Sequence, residues 1–419
     1  MKTLIIGGGL GGLLSGAQLA KAGHKVIIFE RVPMVGGRFM NLDYKGYTLT
    51  SGALHMIPHG PSGPLGTMLK EVGADVEIIP SIPEAFLRIP VDGGGYRDIP
   101  FRDFPKLLSW KNRLKFYYIS LLSIIKNQEP KPLKNWFYPF IDDLWMVKFS
   151  DSFFGWSVSL TSEQISTEEG IAIIKNSYHY CGPGVPVGGC GAVIDALEKV
   201  ILSGGGEIYT RSQVNKIILT NERAVGVEVE GKNISGDIVI SNIGHQATAQ
   251  LYNHPQTTEF EKYQKNINKI KPSAGIKICL GANRPLLGHG GILLTPYCKR
   301  INGVNEVTNI DPSLAPEGKH LIMSHQTLRS NDIQTEIKFG LDDVKDIFQD
   351  QEYELLMVQT YHSDWPVNRV GTGPNPGNTT PIERLYIVGD GARGKGGIEV
   401  EGIAMGVNNT LSVIDQLTD

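Results

Sequence analysis

The first thirty residues, "MKTLIIGGGLGGLLSGAQLAKAGHKVIIFE" (1–30), decide the fold class of this chain. The short apolar run over 2–6 predicts a strand, a helical pattern then extends to about Ala22, and residues 26–29 predict a second, buried strand. Gly23 stands where the C-terminus of a helix favours glycine. The stretch therefore predicts one strand–helix–strand unit of a parallel sheet.

The turn between that strand and helix carries the glycine spacing of a dinucleotide-binding motif. Gly7 permits the turn, Gly9 lets the backbone approach a pyrophosphate, and Gly12 lets the helix pack on the sheet. The start of the helix, with Leu10 and Gly11, presents free N–H groups and the positive end of the helix dipole to phosphates. Because strand, turn and helix follow in the required order, we predict a dinucleotide site here.

Two features after the second strand narrow the identity of the bound nucleotide. Glu30 ends that strand, 23 residues after Gly7, where a carboxylate accepts hydrogen bonds from a ribose 2′-OH and argues against the 2′-phosphate of NADP. The following "ERVPMVGGRF" (30–39) is not required for NAD binding. Gly36 and Gly37 allow close backbone approach, and Arg38 can pair with phosphate oxygens.

A second glycine-rich unit, "RLYIVGDGARGKGGIEVEGIAMG" (384–406), stands some 380 residues later. It predicts a strand, a turn at Gly389-Asp390, a loop and a helix of small residues. Asp390 can accept a hydrogen bond from a sugar hydroxyl. The helix start near residues 397–401 directs its N–H groups at whatever lies in front of it.

These residues together resemble the extended dinucleotide signature of the FAD-dependent amine oxidase and phytoene desaturase superfamily. The resemblance implies that the two ends of the chain meet around one FAD: the first unit would hold the AMP half and pyrophosphate, and the last unit the ribityl chain and isoalloxazine. It also implies FAD contacts at further positions of this chain. These are Arg31, Gly52 and Ala53 in "LTSGALHM" (49–56), Val214, Gly389, Gly397, Ile398 and Val400.

The resemblance covers most of the chain and implies its organisation. The fold class is α/β, with a Rossmann-like, parallel-sheet FAD-binding domain and an inserted mixed α+β substrate domain. We assign residues 1–80, 185–250 and 371–419 to the FAD-binding domain. Residues 81–184 and 251–370 form the substrate domain, with a helical lid at about 101–180.

The amino-acid composition limits the partners, metal sites and cellular locations that remain possible. The chain has 419 residues, 41% of them hydrophobic, and a net charge of −3, which does not favour a nucleic-acid partner. Its four cysteines show no CxxC spacing, so no metal site is predicted. The amine-oxidase pattern has a cysteine near the C-terminus for covalent flavin attachment, and no cysteine follows Cys298 here, so the resemblance implies non-covalent FAD. With no predicted membrane span or signal peptide, we expect a cytoplasmic protein; the oligomeric state is left open.

Catalytic groups are harder to select, because each candidate is more often structural than catalytic. The acid/base candidates are His55, His245, Tyr361, His362, Glu399 and Glu401. We favour His55 and Glu399, since both stand in segments predicted to touch the flavin. Where related desaturases have a Gly-Pro-rich turn, this chain has "GGIEVEGI" (396–403), which leaves the identity of substrate and reaction open.

The stretch 106–134 is basic and aromatic, with seven lysines and arginines against one acid, Glu129. One interpretation is a helical lid with a solvated basic face. The alternative is a peripheral contact with a membrane: "FYYISLLSII" (116–125) is too short to span a bilayer but could lie in its interface, with lysines meeting anionic headgroups.

The resemblance implies an FAD-dependent oxidoreductase of the phytoene desaturase type. We expect it to exchange a hydride between flavin N5 and a lipophilic, isoprenoid- or carotenoid-like substrate, in desaturation, saturation or double-bond isomerisation. Two alternatives remain open. One is an amine or amino-acid oxidase on the same fold, with an aromatic cage at the flavin. The other is a non-catalytic prenyl-lipid escort, which predicts loss of the FAD-specific residues.

Overall fold

A computed structural model describes residues 1–125 and 131–416 of the chain, so Lys126 and Glu129 of the basic stretch lie outside the described residues. The helices, in chain order, are α1 (Leu10–Lys21), α2 (Pro64–Val72), α3 (Trp110–Ile125), α4 (Leu133–Phe137), α5 (Leu144–Val158), α6 (Thr167–His179), α7 (Cys190–Ser203), α8 (His245–Ala249), α9 (Thr258–Ile267), α10 (Ile333–Phe348) and α11 (Glu399–Asp415). Short 3₁₀ turns cover Gly60–Ser62, Phe101–Leu107, Val307–Asn309 and Pro312–Leu314.

The strands come from all parts of the chain. They are β1 (Lys2–Ile6), β2 (Lys25–Phe29), β3 (Asn41–Tyr44), β4 (Tyr47–Thr50), β5 (Ile78–Pro80), β6 (Ala85–Pro90), β7 (Tyr96–Pro100), β8 (Gly184–Pro186), β9 (Glu207–Tyr209), β10 (Val214–Thr220), β11 (Arg223–Val229), β12 (Lys232–Ser235), β13 (Ile238–Ser241), β14 (Lys271–Ser273), β15 (Gly275–Ala282), β16 (Ile292–Leu294), β17 (Ile301–Glu306), β18 (His320–Thr327), β19 (Glu354–Tyr361), β20 (Asn368–Thr372) and β21 (Leu385–Ile387).

The first and last glycine-rich units contribute to one parallel sheet, in the order β21-β13-β1-β2-β9. Strands β1 and β2 are buried on both faces, which explains why they read as continuous apolar runs rather than alternating ones. Because the strands are parallel, the turns after β1, β13 and β21 all lie at the same edge of the sheet. The predicted Rossmann-like fold class is confirmed.

The two faces of this sheet are covered differently. Helices α1, α2, α7 and α11 pack on one face around Ile5, Ile28 and Ile240. The other face carries the antiparallel β10-β11-β12 sheet and α9. Helix α9 falls within the predicted substrate-domain segment 251–370 and buries Phe260 and Ile267 in this second core. The amphipathic face of α9 therefore joins it to the FAD-binding sheet.

A mixed seven-stranded sheet, ordered β19-β15-β18-β17-β16-β6-β7, forms the centre of the second part of the molecule. Helix α10 packs on one of its faces. The helices between residues 110 and 179 cover the other, with a core that includes Leu87, Phe137 and Phe154. This helical layer occupies the segment predicted as a lid, while the division of the chain into two domains stays a prediction. Among the described helices, none has the length and apolarity needed to cross a bilayer.

Candidate functional site

A cavity of about 1120 Å³ runs along the edge of the parallel sheet and on between the two large sheets. Its walls include the turns after β1, β2 and β13, the loop after β4, and the start of α11. Small-molecule pockets usually hold about 300–1,000 Å³. The volume is therefore sufficient for a large cofactor with space beside it.

The glycine-rich turn packs closely against neighbouring backbone. A Cβ at position 12 would lie 2.2 Å from the carbonyl oxygen of Gly7, and one at Gly11 would lie 2.7 Å from the backbone of Gly389. The absence of side chains thus brings the first helix into direct contact with the last strand turn. The N-cap residue of α1 is Gly9, which has no side chain to cap the helix, so the N–H groups of the first turn stay available to an anion.

Glu30 lies at the end of β2 and lines the cavity. One carboxylate oxygen accepts a hydrogen bond from the N–H of Gly8 at 2.8 Å, and the other accepts from the N–H of Val32 at 3.0 Å. These bonds fix the carboxylate beside the glycine turn. Each oxygen keeps a further lone pair for a hydroxyl donor.

Asp390 and Arg38, predicted to contact different parts of FAD, are bonded to each other. The Asp390 carboxylate accepts from Arg38 at 2.5 Å, and from the backbone N–H and guanidinium of Arg369 at 2.7 and 2.8 Å. Burial would raise the pKa of Asp390, but the two guanidinium groups overcome it and hold the pKa well below the ordinary value. Arg38 also donates to the carbonyls of Pro366 and Val367. The cluster ties β20 to the first and last glycine-rich units.

Most of the predicted FAD residues line the cavity. They are Gly7, Gly9, Leu10, Gly11, Glu30, Arg31, Gly37, Arg38, Gly52, Ala53, Val214, Asp390, Ile398 and Val400. Gly12, Gly389 and Gly397 lie behind this wall, where an added Cβ would meet the neighbouring backbone or the Asn242 side chain. Their predicted role is thus exerted through packing.

Two residues that the motif analysis did not assign to FAD hold the loop that carries Gly52 and Ala53. The ammonium group of Lys277, fully buried on β15, donates to the carbonyls of Thr50 and Gly52, both at 2.6 Å. The hydroxyl of Tyr361 donates to the Gly52 carbonyl at 2.5 Å. Burial lowers the pKa of Lys277 to about 8. The sequence signal for Lys277 was a lysine within the apolar strand "AGIKICLG" (274–281).

His55 does not reach the cavity, contrary to the catalytic role expected of it. Its ring is fully buried; Nε2 bonds the carbonyl of Thr48 at 2.9 Å, and Nδ1 accepts from the N–H of Cys190 at 3.0 Å. Burial lowers the pKa of His55 to about 4. With both ring nitrogens bonded to backbone, the residue joins the loop after β4 to the start of α7.

Glu399, the other catalytic candidate, lines the cavity at the N-terminus of α11. Its backbone is left-handed, with φ of 44°, and its carboxylate accepts from the Asn368 side-chain amide at 3.1 Å. Burial raises the pKa of Glu399 to about 7, against the opposing effect of the Arg393 guanidinium. This carboxyl group can therefore take up or release a proton near neutral pH.

The carboxylate of Glu401, two residues further along the chain, has a structural role instead. Its fully buried carboxylate accepts from the N–H of His59 at 3.0 Å and from that of Leu65 at 2.8 Å. Burial raises the pKa of Glu401 to about 7, which the two donors oppose. Glu401 thereby fixes the segment that precedes α2.

The remaining acid/base candidates are committed to local contacts. His245 lines the cavity, but its ring bonds the Tyr263 hydroxyl at 2.8 Å and the Gly377 carbonyl at 3.0 Å. His362 is exposed and bonds the Ser363 hydroxyl at 3.0 Å. Both ring nitrogens of His245 are therefore bonded. His362 does not line the cavity.

Beyond the flavin-binding candidates, the cavity continues as an apolar arm between the helical layer and the seven-stranded sheet. The carbon side chains of this arm are Leu54, Met56, Phe101, Phe153, Trp156, Ile292, Leu294 and Ile398. Two of them, Phe101 and Phe153, continue a series of ring contacts that reaches the surface at α3. The arm therefore suits an apolar ligand.

The site fits FAD. The uncapped α1 and the glycine turn suit a pyrophosphate, the fixed Glu30 suits a ribose, and the space continues past Asp390 to Ile398 and Val400. Within residues 1–125 and 131–416, no group of three or more histidine, cysteine, aspartate or glutamate side chains could hold a metal ion.

Comparisons with known proteins agree with this arrangement. The family described as flavin containing amine oxidoreductase matches residues 10–402. The chain is 42% identical to the uncharacterised protein MJ1488 of Methanocaldococcus jannaschii over the full length of both. It is 26% identical to the chloroplastic prolycopene isomerase of Daucus carota, covering 93% of this chain and 76% of that one. The crystal structure of an oxidoreductase from Methanosarcina mazei, at 50% identity, superposes with a TM-score of 0.93 over 98% of this chain and 100% of that chain.

Proposed function

This chain belongs to the flavin containing amine oxidoreductase family and is an FAD-dependent oxidoreductase, and within that family we propose that it acts on a long apolar molecule of the isoprenoid or carotenoid kind. The observation that carries the proposal is the apolar arm, whose walls are carbon side chains from Leu54 to Ile398. The similarity to a prolycopene isomerase supports the same substrate class. Bound FAD supplies hydride exchange at its N5 atom.

The residues of the chain have separate tasks in this proposal. The apolar arm binds the substrate chain and excludes water from it. Lys277 and Tyr361 hold the carbonyls of the loop that carries Ala53, so that this part of the wall keeps its shape. The carboxyl group of Glu399 holds or releases the proton that desaturation, saturation or isomerisation requires, because its pKa of about 7 keeps both forms populated.

The alternatives have less support. An amine oxidase is expected to place an aromatic cage at the flavin. The start of α11 supplies Ile398, Glu399 and Val400 there, whereas Phe101, Phe153 and Trp156 lie in the apolar arm. A prenyl-lipid escort would have lost its FAD-specific residues. Glu30, Arg38 and Asp390 are instead assembled on one wall.

The first test is a visible absorption spectrum of the purified protein before and after denaturation, followed by incubation with substrates. We expect oxidised-flavin bands that pass into solution on unfolding, since we propose that FAD is not covalently attached. We then expect conversion of acyclic polyenes, detected by chromatography. Hydrogen peroxide from polyamines, without conversion of any polyene, would overturn the proposed substrate class.

We also propose that α3 contacts a membrane. Five side chains on one face of this helix are between 55% and 69% exposed; we call this set, Trp110, Leu114, Tyr117, Tyr118 and Leu121, the α3 stripe. Their spacing of three or four residues places them on a single face. The exposed cations Lys111 and Lys115 flank the stripe, which provides charge complementarity to anionic headgroups.

The α3 stripe is connected to the apolar arm by aromatic rings. Successive ring centroids lie between 3.6 and 6.0 Å apart along the series Tyr117, Phe116, Phe104, Phe149, Phe101 and Phe153. The last two rings line the cavity. The helix that carries the α3 stripe is thus packed through aromatic rings onto the wall of the apolar arm.

Co-sedimentation with phosphatidylglycerol and phosphatidylcholine vesicles tests this contact. We expect binding to the anionic vesicles that weakens with salt and falls by about tenfold in Tyr117→Ser, since buried apolar area and charge both contribute. The matched control is Tyr178→Ser, which removes another exposed tyrosine, from α6. Equal loss in both variants, or self-association through the stripe without vesicle binding, would overturn the proposal.

A further inference from the structure

The wall of the dinucleotide site carries an arginine that belongs to none of the glycine motifs. Arg369 lies on β20, within the predicted substrate-domain segment 251–370, and its side chain lines the cavity beside Asp390. One N–H group of its guanidinium is bonded, because Nη1 donates to Asp390 at 2.8 Å. A guanidinium has five such donors. Arg369 therefore keeps most of its donor capacity.

The remaining donors of Arg369 are accessible. Nε and Nη2 have no partner among the described residues, and the side chain is 34% exposed. Arg393, in the same part of the molecule, also has unpartnered nitrogens, but those are fully buried and lie off the cavity wall. The free donors of Arg369 can thus reach a ligand without a change in the fold.

The neighbouring Arg38 has less capacity left. Its Nη1 donates to the carbonyls of Pro366 and Val367, and its Nη2 donates to Asp390 at 2.5 Å. The side chain of Arg38 is 16% exposed, about half the value for Arg369. Arg38 therefore holds the start of β20 in place, whereas Arg369 presents free N–H groups.

The stem of Arg369 is fixed against the turn after β13. A Cβ at Gly244 would lie 2.9 Å from Cδ of Arg369, and Gly244 has a φ of 86°, so this close contact requires glycine. A Cβ at Gly391 would in turn lie 2.5 Å from the Cα of Gly244. The arginine therefore stands where the turns after β13 and β21 meet, at the edge of the sheet that also carries the start of α1.

The charges of this cluster do not balance. Arg38 and Arg369 share the carboxylate of Asp390, and the two guanidinium groups keep it ionised by lowering its pKa. The cluster thus has two positive charges against one negative charge. Glu399 also lines the cavity, but its carboxyl group bonds Asn368, and burial favours its neutral form. An anionic ligand would compensate the excess positive charge.

We propose that Arg369 binds the pyrophosphate of FAD, and that Arg38 positions it through the shared carboxylate of Asp390. The first turn of α1 offers N–H groups to the phosphates but has no cationic side chain, so the counter-charge has to come from another element. The planar fork of a guanidinium matches two phosphate oxygens. This inference concerns the cofactor and is independent of the substrate class proposed above.

The test measures how tightly the full-length protein, freed of flavin, binds FAD and riboflavin, which has no phosphate. Flavin fluorescence follows both titrations, so the readout does not depend on turnover. We expect Arg369→Gln to weaken FAD binding by about tenfold and to leave riboflavin binding unchanged, because a charge-assisted contact with phosphate is lost. Phosphorus NMR of bound FAD should show shifted pyrophosphate resonances in the same variant.

Two further variants make the result specific. Arg369→Lys retains the charge without the planar fork and should restore FAD binding in part. The matched control is Arg88→Gln, which removes an arginine paired with Asp98 away from the cavity wall. This control should lower the melting temperature without changing the ratio of the FAD and riboflavin affinities. The backbone N–H of residue 369, which donates to Asp390 at 2.7 Å, is kept in both Arg369 variants.

The outcomes distinguish a phosphate contact from a structural role. Equal weakening of FAD and riboflavin binding in Arg369→Gln would overturn the proposal, because the arginine would then act only through the shape of the wall. Unchanged FAD affinity, or pyrophosphate resonances that do not move, would overturn it as well. If Arg369→Gln does not fold, the same comparison is made with Arg369→Lys, where a loss confined to FAD supports the contact. No substrate enters these measurements, so the proposed substrate class is tested separately.

Discussion

The carboxylate of Asp390 joins three separate parts of the chain through Arg38 and Arg369. The group is buried, so replacing it leaves two guanidinium groups without their counter-charge. Removal of one member of a buried ion pair is much more harmful than removal of an exposed one, because the remaining charge has lost its water as well as its partner.

We predict that Asp390→Asn lowers the free energy of unfolding by about 3 kcal/mol and reduces FAD retention. Denaturant unfolding and flavin absorbance of the purified variant measure the two effects. Glu354→Gln, which breaks an exposed ion pair with Lys45, should cost far less, because solvent screens both charges. Similar losses in both variants would contradict the buried role of Asp390.

The pH dependence follows from the lowered pKa of Asp390. Because the folded value lies below the ordinary value of 3.8, the stabilisation is complete above about pH 4 and is lost as the pH falls further. The stability difference between the unaltered protein and Asp390→Asn should therefore shrink on acidification. A constant difference down to low pH would contradict this assignment.

Glu399 shows the opposite sign, since burial raises its pKa from 4.5 to about 7. The folded protein favours the protonated form, so the stability that this form contributes is lost as the pH rises from 4.5 to about 7. Relative to Glu399→Gln, we predict that the unaltered protein loses at most about 1.4 kcal/mol per pH unit across that range. Unfolding measurements at several pH values check this.

Activity separates Glu399 from its neighbour on the same helix. Glu399→Gln should slow polyene conversion by about 100-fold, because the exchangeable proton at the cavity wall is removed. Glu401→Gln should affect stability but change the rate far less, since Glu401 bonds the backbone of His59 and Leu65. Equal rate losses would show that Glu399 acts through the fold alone.

At this scale, the sequence predicts residues within motifs better than isolated ones. Glu30, Arg38 and Asp390 could be placed because each follows a strand at a defined distance from glycines. The ring of His55 lies outside the cavity wall, because proximity in the chain to Gly52 and Ala53 does not determine the direction in which a side chain points. Lys277 and His325 stand opposite each other only because β15 pairs with β18, and the two residues are more than 40 positions apart in the sequence.

Among the elements, α6 connects the helical layer to the FAD-binding end of the chain. The Glu169 carboxylate accepts from the N–H of Gly396 at 3.2 Å, and the Asn176 amide donates to the Gly396 carbonyl at 2.8 Å. Ser166 caps the helix by accepting from the N–H of Glu169 at 3.2 Å. The position of the loop before α11 thus depends on both the first and the last turn of α6.

We predict that Ser166→Ala costs about 1 kcal/mol of stability and weakens FAD affinity by about fivefold, because loss of the cap frees the start of α6. Flavin titration of the apoprotein measures the affinity. The matched control is Asp332→Ala, which removes the cap of α10, where Asp332 accepts from the N–H of Thr335 at 3.2 Å. It should cost similar stability with unchanged FAD affinity; an equal effect on affinity would contradict the proposed connection.

Helices with strong hydrophobic periodicity could be predicted from the sequence, but the elements against which they pack could not. The glycine stop after α7 and the helical character of 110–125 follow from local sequence. The amphipathic pattern of α9 shows that one face is buried but does not identify the sheet that buries it. Strong local patterns determine the element, whereas the packing of its apolar face depends on distant residues.

For the whole molecule, the dinucleotide site is the link between the first and last parts of the chain. FAD contacts predicted at Gly7 and Glu30 bind one half of the cofactor, and those at Asp390 and Ile398 the other. We predict that FAD at about 100 times its Kd stabilises the apoprotein by about 2.7 kcal/mol. FMN at the same concentration should stabilise it less, since it lacks the AMP half; equal stabilisation by both would contradict the two-ended site. Thermal unfolding checks this.

The family, the fold class and the cofactor were predictable because they depend on backbone motifs at the two ends of the chain. The substrate was not, since the cavity wall combines residues from segments that share no motif, from Leu54 to Leu294 and Ile398. The division into two domains also stays a prediction, because the chain passes between the parallel sheet and the seven-stranded sheet several times.

The contact between Gly11 and Gly389 has a consequence for the synthesis of the protein. A ribosome makes the glycine turn of β1 early, but the neighbouring wall of the dinucleotide site forms only after residues 385–402 have emerged. During most of translation, the edge of β13 that will pair with β21 is uncovered and the growing chain cannot enclose a complete cofactor. Loading of FAD is therefore a late step of biogenesis, and chains that stop before β21 would be left without it and open to proteolysis.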